Sequence, residues 1–241
     1  MTLGILAAMP QEIEKLNANV DGKETHTRGV FTFTTGTLAG RPVVFAAANI
    51  GMVFASSAAT LMINEFKAQR ILFMGVAGGL KEGQKIGDIV VGTDVVNYEM
   101  DARTFCPPWD ADYKYQLGEI PLIKWRFYEA DAEMLKLAMQ APLPDGVTRT
   151  QGRLASGSIF LDTKAKVGMA SQWALLGDPL AAEMENAGVA QICKAFDVPY
   201  VSLRALSDLV TGDANEDFGV FCQQAADNVF PIVQYVCKNL P

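Results

Sequence analysis

Strand-like apolar runs alternate with helix-like segments along almost the whole chain, and this alternation limits the fold more than any other feature. The opening TLGILAAM reads as a buried strand. PQEIEKLNANV follows as a helix, with Pro10 in its first turn and acids where the helix dipole favours them. GVFTFTTGTLAGRPVVFAAANI reads as two strands joined at Ala39-Gly40, a hairpin. GMVFASSAATLMINEF is a helix of small residues able to lie close on a sheet. RILFMGVAGGL is a strand running into a glycine turn, and GDIVVGTDVV is another strand. From Cys106 to about Arg126 the chain is rich in Pro, Trp and Tyr without periodicity, and reads as irregular. DAEMLKLAMQA then reads as a helix, GVTRTQGRLAS as a strand and TKAKVGMAS as a short helix. EMENAGVAQICKAF, the short strand VPYVSLRALSD and a long helix from near Glu216 complete the pattern. In that last helix Phe218, Phe221, Ala225, Val229 and Ile232 share one apolar face, and Pro231 should kink it. The order predicts an α/β fold: a single domain over residues 1–241, built as a three-layer α/β/α sandwich on a mixed, mainly parallel central sheet.

Charge and composition remove several classes of function. A formal net charge of −7 and a pI near 4.8 argue against a polymeric nucleic acid partner, which usually meets a basic stripe. No charged-then-apolar leader and no run of ~18 apolar residues is present, so no membrane association is expected and the chain is read as cytoplasmic. Cys106, Cys193, Cys222 and Cys237 are scattered without a C-x-x-C pair, as suits reduced thiols. There is one histidine, His26, in GKETHTRG, which reads as a surface turn. A Cys/His metal site, a Ser-His-Asp triad and a Cys-His dyad are all disfavoured; no metal and no cofactor are expected. Proton chemistry, if any, falls to carboxylates.

In sheets of this kind ligands bind beyond the carboxyl ends of the strands. Four strand exits carry unusual residues. Met9 leads to Glu12; the glycine turn GVAGGL includes Gly78, where backbone could approach a ligand; Glu183-Met184-Glu185 precedes a helix; Ser207-Asp208 ends the last strand. Glu12 alone reads as a solvated first-turn acid, and Asp208 alone divides evenly between a helix cap and a site residue. Glu183 and Glu185 say more, because LAA and NAGVA around them look buried and charges are rarely buried unpaired. In a strand they would share one face; in a helix they would lie roughly 200° apart. A strand-to-helix turn is favoured, with one glutamate solvated or paired and the other offered to a ligand. Three convergent carboxylates permit glycosidic bond cleavage, which needs an acid for the leaving group and a base for water. Pattern alone leaves this as one possibility among several.

GILAAMPQEIEKL, ANIG, GVAGGL, IGDIVVGTDVVNYEMDAR, ASGSIFLD, AEMENAGVAQICKAFDVPYVSLRALSD and DFGVF occur in the order found in one family. The chain resembles the 5′-methylthioadenosine/S-adenosylhomocysteine nucleosidases, within the purine and uridine phosphorylase superfamily, from Gly4 to the terminal helix. EMEN and LRALSD are the specific pieces. The resemblance implies a nucleoside phosphorylase-like fold and hydrolysis of an N-glycosidic bond to adenine and a thioribose sugar. It implies Asp208 as general acid toward N7, oriented by Ser207, and Glu12 as activator of water. It further implies Glu185 on the ribose hydroxyls with Met184 beside the sugar, and Phe160 and Leu161 against the purine. Met9, Ile50 and Phe218 would line the 5′-alkylthio pocket, and Phe105 would act across the interface of a homodimer.

Three departures bear on substrate choice. Val76 stands where the family commonly has Ser or Thr, whose hydroxyl helps hold the water. NYEMDAR differs from the usual His-Asp-bearing segment, and the loop after Cys106 looks longer and bulkier. A phosphorylase would need an anion site, and Lys81 and Lys85 after the glycine turn do not sit in a phosphate motif. A futalosine-type hydrolase is a second alternative. A catalytically dead binding relative is a third, opposed by the presence of Glu12, Glu185 and Asp208 together.

Overall fold

The computed structural model describes residues 1–210 and 214–241, with side chains at all of these except 110 and 214–216. Strand β1 (Leu3–Ala7) is followed by a 3-10 turn (Pro10–Ile13) and helix α1 (Glu14–Asn19). Then come β2 (Asp21–Arg28), β3 (Phe31–Leu38), β4 (Arg41–Ala47), α2 (Met52–Asn64), β5 (Arg70–Gly79) and β6 (Ile89–Asn97). A short 3-10 turn (Pro108–Asp110) precedes β7 (Tyr128–Glu129), α3 (Ala132–Gln140), β8 (Arg149–Ser156), α4 (Thr163–Gly168) and α5 (Ala170–Leu175). The chain ends with β9 (Ala181–Glu183), α6 (Asn186–Ala195), β10 (Tyr200–Asp208) and α7 (Ala214–Asn239).

The sheet is mixed, and part of it closes on itself. Strand β5 pairs in parallel with β10, β10 antiparallel with β6, β6 in parallel with β8, and β8 in parallel with β9. Strand β9 then returns antiparallel to β5. This ring has no edge strand of its own. Outside it, β1 and β4 continue in parallel from β5, and β3 and β2 follow antiparallel. Ile5 lies opposite both Phe45 and Leu72, so β1 is buried on both faces, as its continuous apolar run requires. Helix α7 runs through Pro231 and packs Val229, Ile232, Val233 and Val236, all fully buried, on one face of the sheet with α3. Burying each such side chain contributes about 1.5–3 kcal/mol. Helices α2 and α6 cover another face through Ala55, Ala58, Ala59, Val189 and Ala190, small enough for close approach.

One segment differs from its sequence reading. GKETHTRG is not a turn but most of β2, with His26 opposite Phe33 and its ring 5.5 Å from that of Phe66. Strand β2 lies at the end of the sheet with both faces largely exposed, so it needs no apolar alternation and shows none. All four cysteines are free, and only Cys106 is exposed. Among the described residues no helix is long and apolar enough to cross a membrane.

Candidate active site

Strands β1 and β5 are paired from Leu3↔Arg70 to Leu6↔Phe73, and then they part. Farther along, β9 takes the vacated side of β5 at Gly78 and Gly79. Glu12 fills the gap. Its Oε1 accepts the Val76 N–H at 2.8 Å, and its Oε2 accepts those of Ala8 and Met9, each at 2.8 Å. Pro10 opens the 3-10 turn that swings Glu12 back over the end of β1. Gly75 is needed here for space: a Cβ on it would lie 2.5 Å from Oε1 of Glu12 and would also strike Nη1 of Arg204. Burial raises the proton affinity of Glu12, against the opposing pull of Arg204 and the three backbone donors.

The turn between β9 and α6 separates its two glutamates by function. Glu183 is 7% exposed and is paired, not solvated: its Oε2 accepts Nη2 of Arg204 at 3.1 Å, and the N–H groups of Glu185 at 3.0 Å and Asn186 at 2.8 Å. Ser156 donates its hydroxyl to Oε1 of Glu183 and accepts the Ala187 N–H at 2.7 Å. Arg204 is wholly buried, with its guanidinium 4.1 Å from the centre of the Phe73 ring. Both glutamates line the cleft, and Oε1 of Glu185 accepts the Gly51 N–H at 2.8 Å. Gly51 has φ 103°, a conformation that favours glycine. Burial, then the nearby charge of Glu183, push Glu185 up to about 7.

Strand β10 delivers the third carboxylate. Asp208 accepts the Ser207 hydroxyl at 3.1 Å and the Val210 N–H at 2.9 Å. Burial raises its proton affinity; those two hydrogen bonds oppose the rise, the nearby charge of Asp217 adds to it, and that of Lys166 opposes it. Gly78 lies against it, since a Cβ there would come 2.9 Å from Oδ1.

Glu12, Glu183, Glu185 and Asp208 line one open cleft of about 710 Å³, counted out to its solvent mouth. Met9, Ile50, Gly78, Phe160, Leu161, Met184, Ser207 and Phe218 line it too. Phe160 meets Phe218 edge to face, with ring centres 5.7 Å apart. Phe105 is the exception: it lies outside the cleft, 41% exposed, its ring 5.8 Å from that of Tyr115. The loop around it is organised by buried Glu119, which accepts the Tyr113 hydroxyl at 2.6 Å and the Gln116 N–H at 2.9 Å.

The sequence reading did not single out Ala8, Ala77, Ile159, Ala182 and Val210 as lining positions, nor Arg204 behind the cleft. The small and aliphatic ones carry no signal of their own. Arg204 did: a charge in the middle of VSLRALSD, a strand buried throughout, demands a buried partner. Val76 lines the wall, so its backbone serves Glu12 while its side chain faces the cleft with no hydroxyl. Among the described residues no lysine or arginine lines the cleft, and no group of three or more His, Cys, Asp or Glu could hold a metal ion. The arrangement can donate a proton on one side, activate water on another and accept hydrogen bonds from a diol between them.

Residues 2–238 match the profile of the phosphorylase superfamily. A 5′-methylthioadenosine/S-adenosylhomocysteine nucleosidase of Bacillus subtilis is 32% identical over 241 residues, all of both chains. The nucleosidase of that name from Neisseria meningitidis, solved in complex with methylthio-immucillin-A, superimposes with a TM-score of 0.90 at 31% identity and 99% coverage of each chain. A futalosine hydrolase of Helicobacter pylori superimposes at 0.85 with 30% identity, over 98% of this chain and 97% of its own.

Proposed function

Since the chain belongs to the phosphorylase superfamily and brings Glu12, Glu185 and Asp208 together in one cleft, we propose that it hydrolyses the N-glycosidic bond of 5′-methylthioadenosine, S-adenosylhomocysteine or both. The products are adenine and the thioribose sugar, which places the enzyme in methionine and purine salvage. The observation that carries this reading is that Asp208, held by the Ser207 hydroxyl, and Glu12, held by three backbone N–H groups, line one cleft in which, among the described residues, no lysine or arginine takes part.

Asp208 donates its proton to N7 as the bond from C1′ to N9 breaks. Burial favours its acid form, the one that can donate. Ser207 orients that carboxyl. Glu12 acts in its carboxylate form, which Arg204 and the three backbone donors favour against burial, and takes the proton of the water that attacks C1′. Glu185 accepts the ribose hydroxyls and stabilises the positive charge that builds on the sugar. Phe160 stacks on the purine, Leu161 offers backbone groups to its edge, and Gly78 leaves room beside it. Met184 packs near the sugar, and Met9, Ile50 and Phe218 receive the 5′ substituent. Phosphate is disfavoured as nucleophile by the carboxylate of Glu12 and by Lys81, whose ammonium is turned to Asp178 at 3.4 Å.

The reading treats residues 1–241 as one domain, supported by a single sheet drawing strands from Leu3 to Asp208. It treats the protein as cytoplasmic, as independent of metal and cofactor, and as a homodimer in which Phe105 closes the partner's 5′ pocket. Support for the dimer is the exposure of Val53 and Phe54, three and four residues after the cleft residue Ile50, which is exposed as well. A futalosine-type hydrolase is the second reading, favoured by the likeness to the Helicobacter pylori enzyme of that name. A substrate panel separates them. The proposal expects kcat/KM for methylthioadenosine or S-adenosylhomocysteine to exceed that for futalosine at least tenfold. The reverse order favours the second reading.

A further inference from the structure

Lys166 has no part in the chemistry above, yet it sits where two halves of the cleft meet. It lies on α4, directly after the segment Ile159–Leu161 that forms the purine side. Asp162 starts this helix by accepting the Ala165 N–H at 2.8 Å. The Lys166 ammonium reaches across to the end of β10 and donates to the Leu209 carbonyl at 3.4 Å, one residue past Asp208. Its own carbonyl accepts the indole N–H of Trp173 at 3.2 Å. Trp173 packs edge to face on Tyr98, with ring centres 5.5 Å apart, and the Tyr98 hydroxyl donates to the Ile159 carbonyl at 3.3 Å. Tyr98 and Trp173 are both buried. Glu99 accepts the Ser158 N–H beside them. The contacts thus form a closed loop from Lys166 through Trp173 and Tyr98 back to Ile159; the lysine head joins that loop by a hydrogen bond to the strand end bearing the acid, where Val210 packs in the same apolar cluster as Tyr98, Leu161 and Trp173.

We propose that Lys166 is a positioning residue: it ties the purine-side segment to the end of β10, so that Phe160 and Asp208 address the same base. This rests on the acid role given to Asp208. A second consequence follows from charge. Among the described residues, the groups facing Asp208 are the hydroxyl of Ser207, the N–H of Val210, Asp217 from α7 and Lys166 from α4. Lys166 in turn faces Asp208 and Lys81. The lysine is the cation in that set that opposes protonation of Asp208, so removing it lets the acid hold its proton to higher pH.

The test is the pH profile of kcat/KM for adenine release from methylthioadenosine, in wild type, K166M, K166R and D208N, with thermal midpoints recorded for each. The expected result has four parts: D208N loses at least ~10²-fold; K166M raises KM several-fold; its descending limb moves upward by about half a pH unit or more; and K166R restores both values. A residue that merely supports the fold would lower the thermal midpoint without moving the limb. A K166M profile that overlays wild type while D208N is inactive overturns the role of Lys166 and leaves the acid standing. A D208N variant as active as wild type removes the acid, and the proposal with it.

Discussion

Oε1 of Glu12 accepts the Val76 N–H at 2.8 Å, bridging the opening where β1 and β5 separate. Its other oxygen holds the amides of Ala8 and Met9, so both oxygens are fixed to backbone. A carboxylate held this way keeps its position through a catalytic cycle, and its amide partner can be lost only by distorting the sheet.

Replacing Glu12 by Gln keeps most of that shape while removing the base. Expected is a loss of at least ~10²-fold in kcat, as for Asp208→Asn. Steady-state kinetics with a circular dichroism spectrum checks it. Near-wild-type turnover in either variant would sink the role given to that residue.

Gly75→Ala tests the space rather than the group. The new Cβ would lie 2.5 Å from Oε1 of Glu12, so the carboxylate must shift. A displacement of order 1 Å predicts about a hundredfold loss in kcat/KM. The same enzyme with alanine at Gly22, where a Cβ meets nothing within 4 Å, should keep its activity even if its stability changes.

Arg204→Met leaves Glu183 buried without its cation. The expected cost is about 3–5 kcal/mol of unfolding free energy, read from denaturant titration. Arg204→Met combined with Glu183→Gln should recover part of it. A single variant as stable as wild type would mean that the pair contributes nothing to the fold.

The pH dependence of stability has a definite sign at Glu185. Its folded value of about 7 lies above the ordinary 4.5, so the protonated form is favoured by folding. That contribution is complete below 4.5 and is lost as pH rises through about 7. At full size it amounts to at most about 3 kcal/mol. Glu185→Gln should therefore gain stability relative to wild type between pH 5 and pH 8, seen as a growing difference in thermal midpoint. A constant difference over that range contradicts the assignment.

How far the fold could be read in advance depended on what each segment buries. The apolar runs of β1, β5 and β10 and the Ala39-Gly40 hairpin declare themselves through side-chain pattern. Strand β2 does not, because an exposed end strand is held by backbone hydrogen bonds to β3 and needs no apolar face. Closure of the ring is equally silent. It depends on β9, three residues long, meeting β5 across about a hundred residues of chain. In the cleft, Glu183 and Glu185 were visible as charges in buried surroundings, whereas Glu12, which alone reads as a solvated first-turn acid, is buried because the 3-10 turn folds it back onto the amides of Ala8, Met9 and Val76. The separation of Glu183 from Glu185 needed Arg204, whose partner lies 21 residues away. The amide of Val76 was out of reach, because a backbone donor leaves no mark on residue type.

The most direct test of hydrolysis is adenine release from methylthioadenosine by wild-type protein, in phosphate-free buffer and again with added phosphate, with the sugar product identified by mass. The predicted result is equal release in both buffers and the free thioribose sugar in each. Release that requires phosphate and yields a sugar 1-phosphate would contradict it.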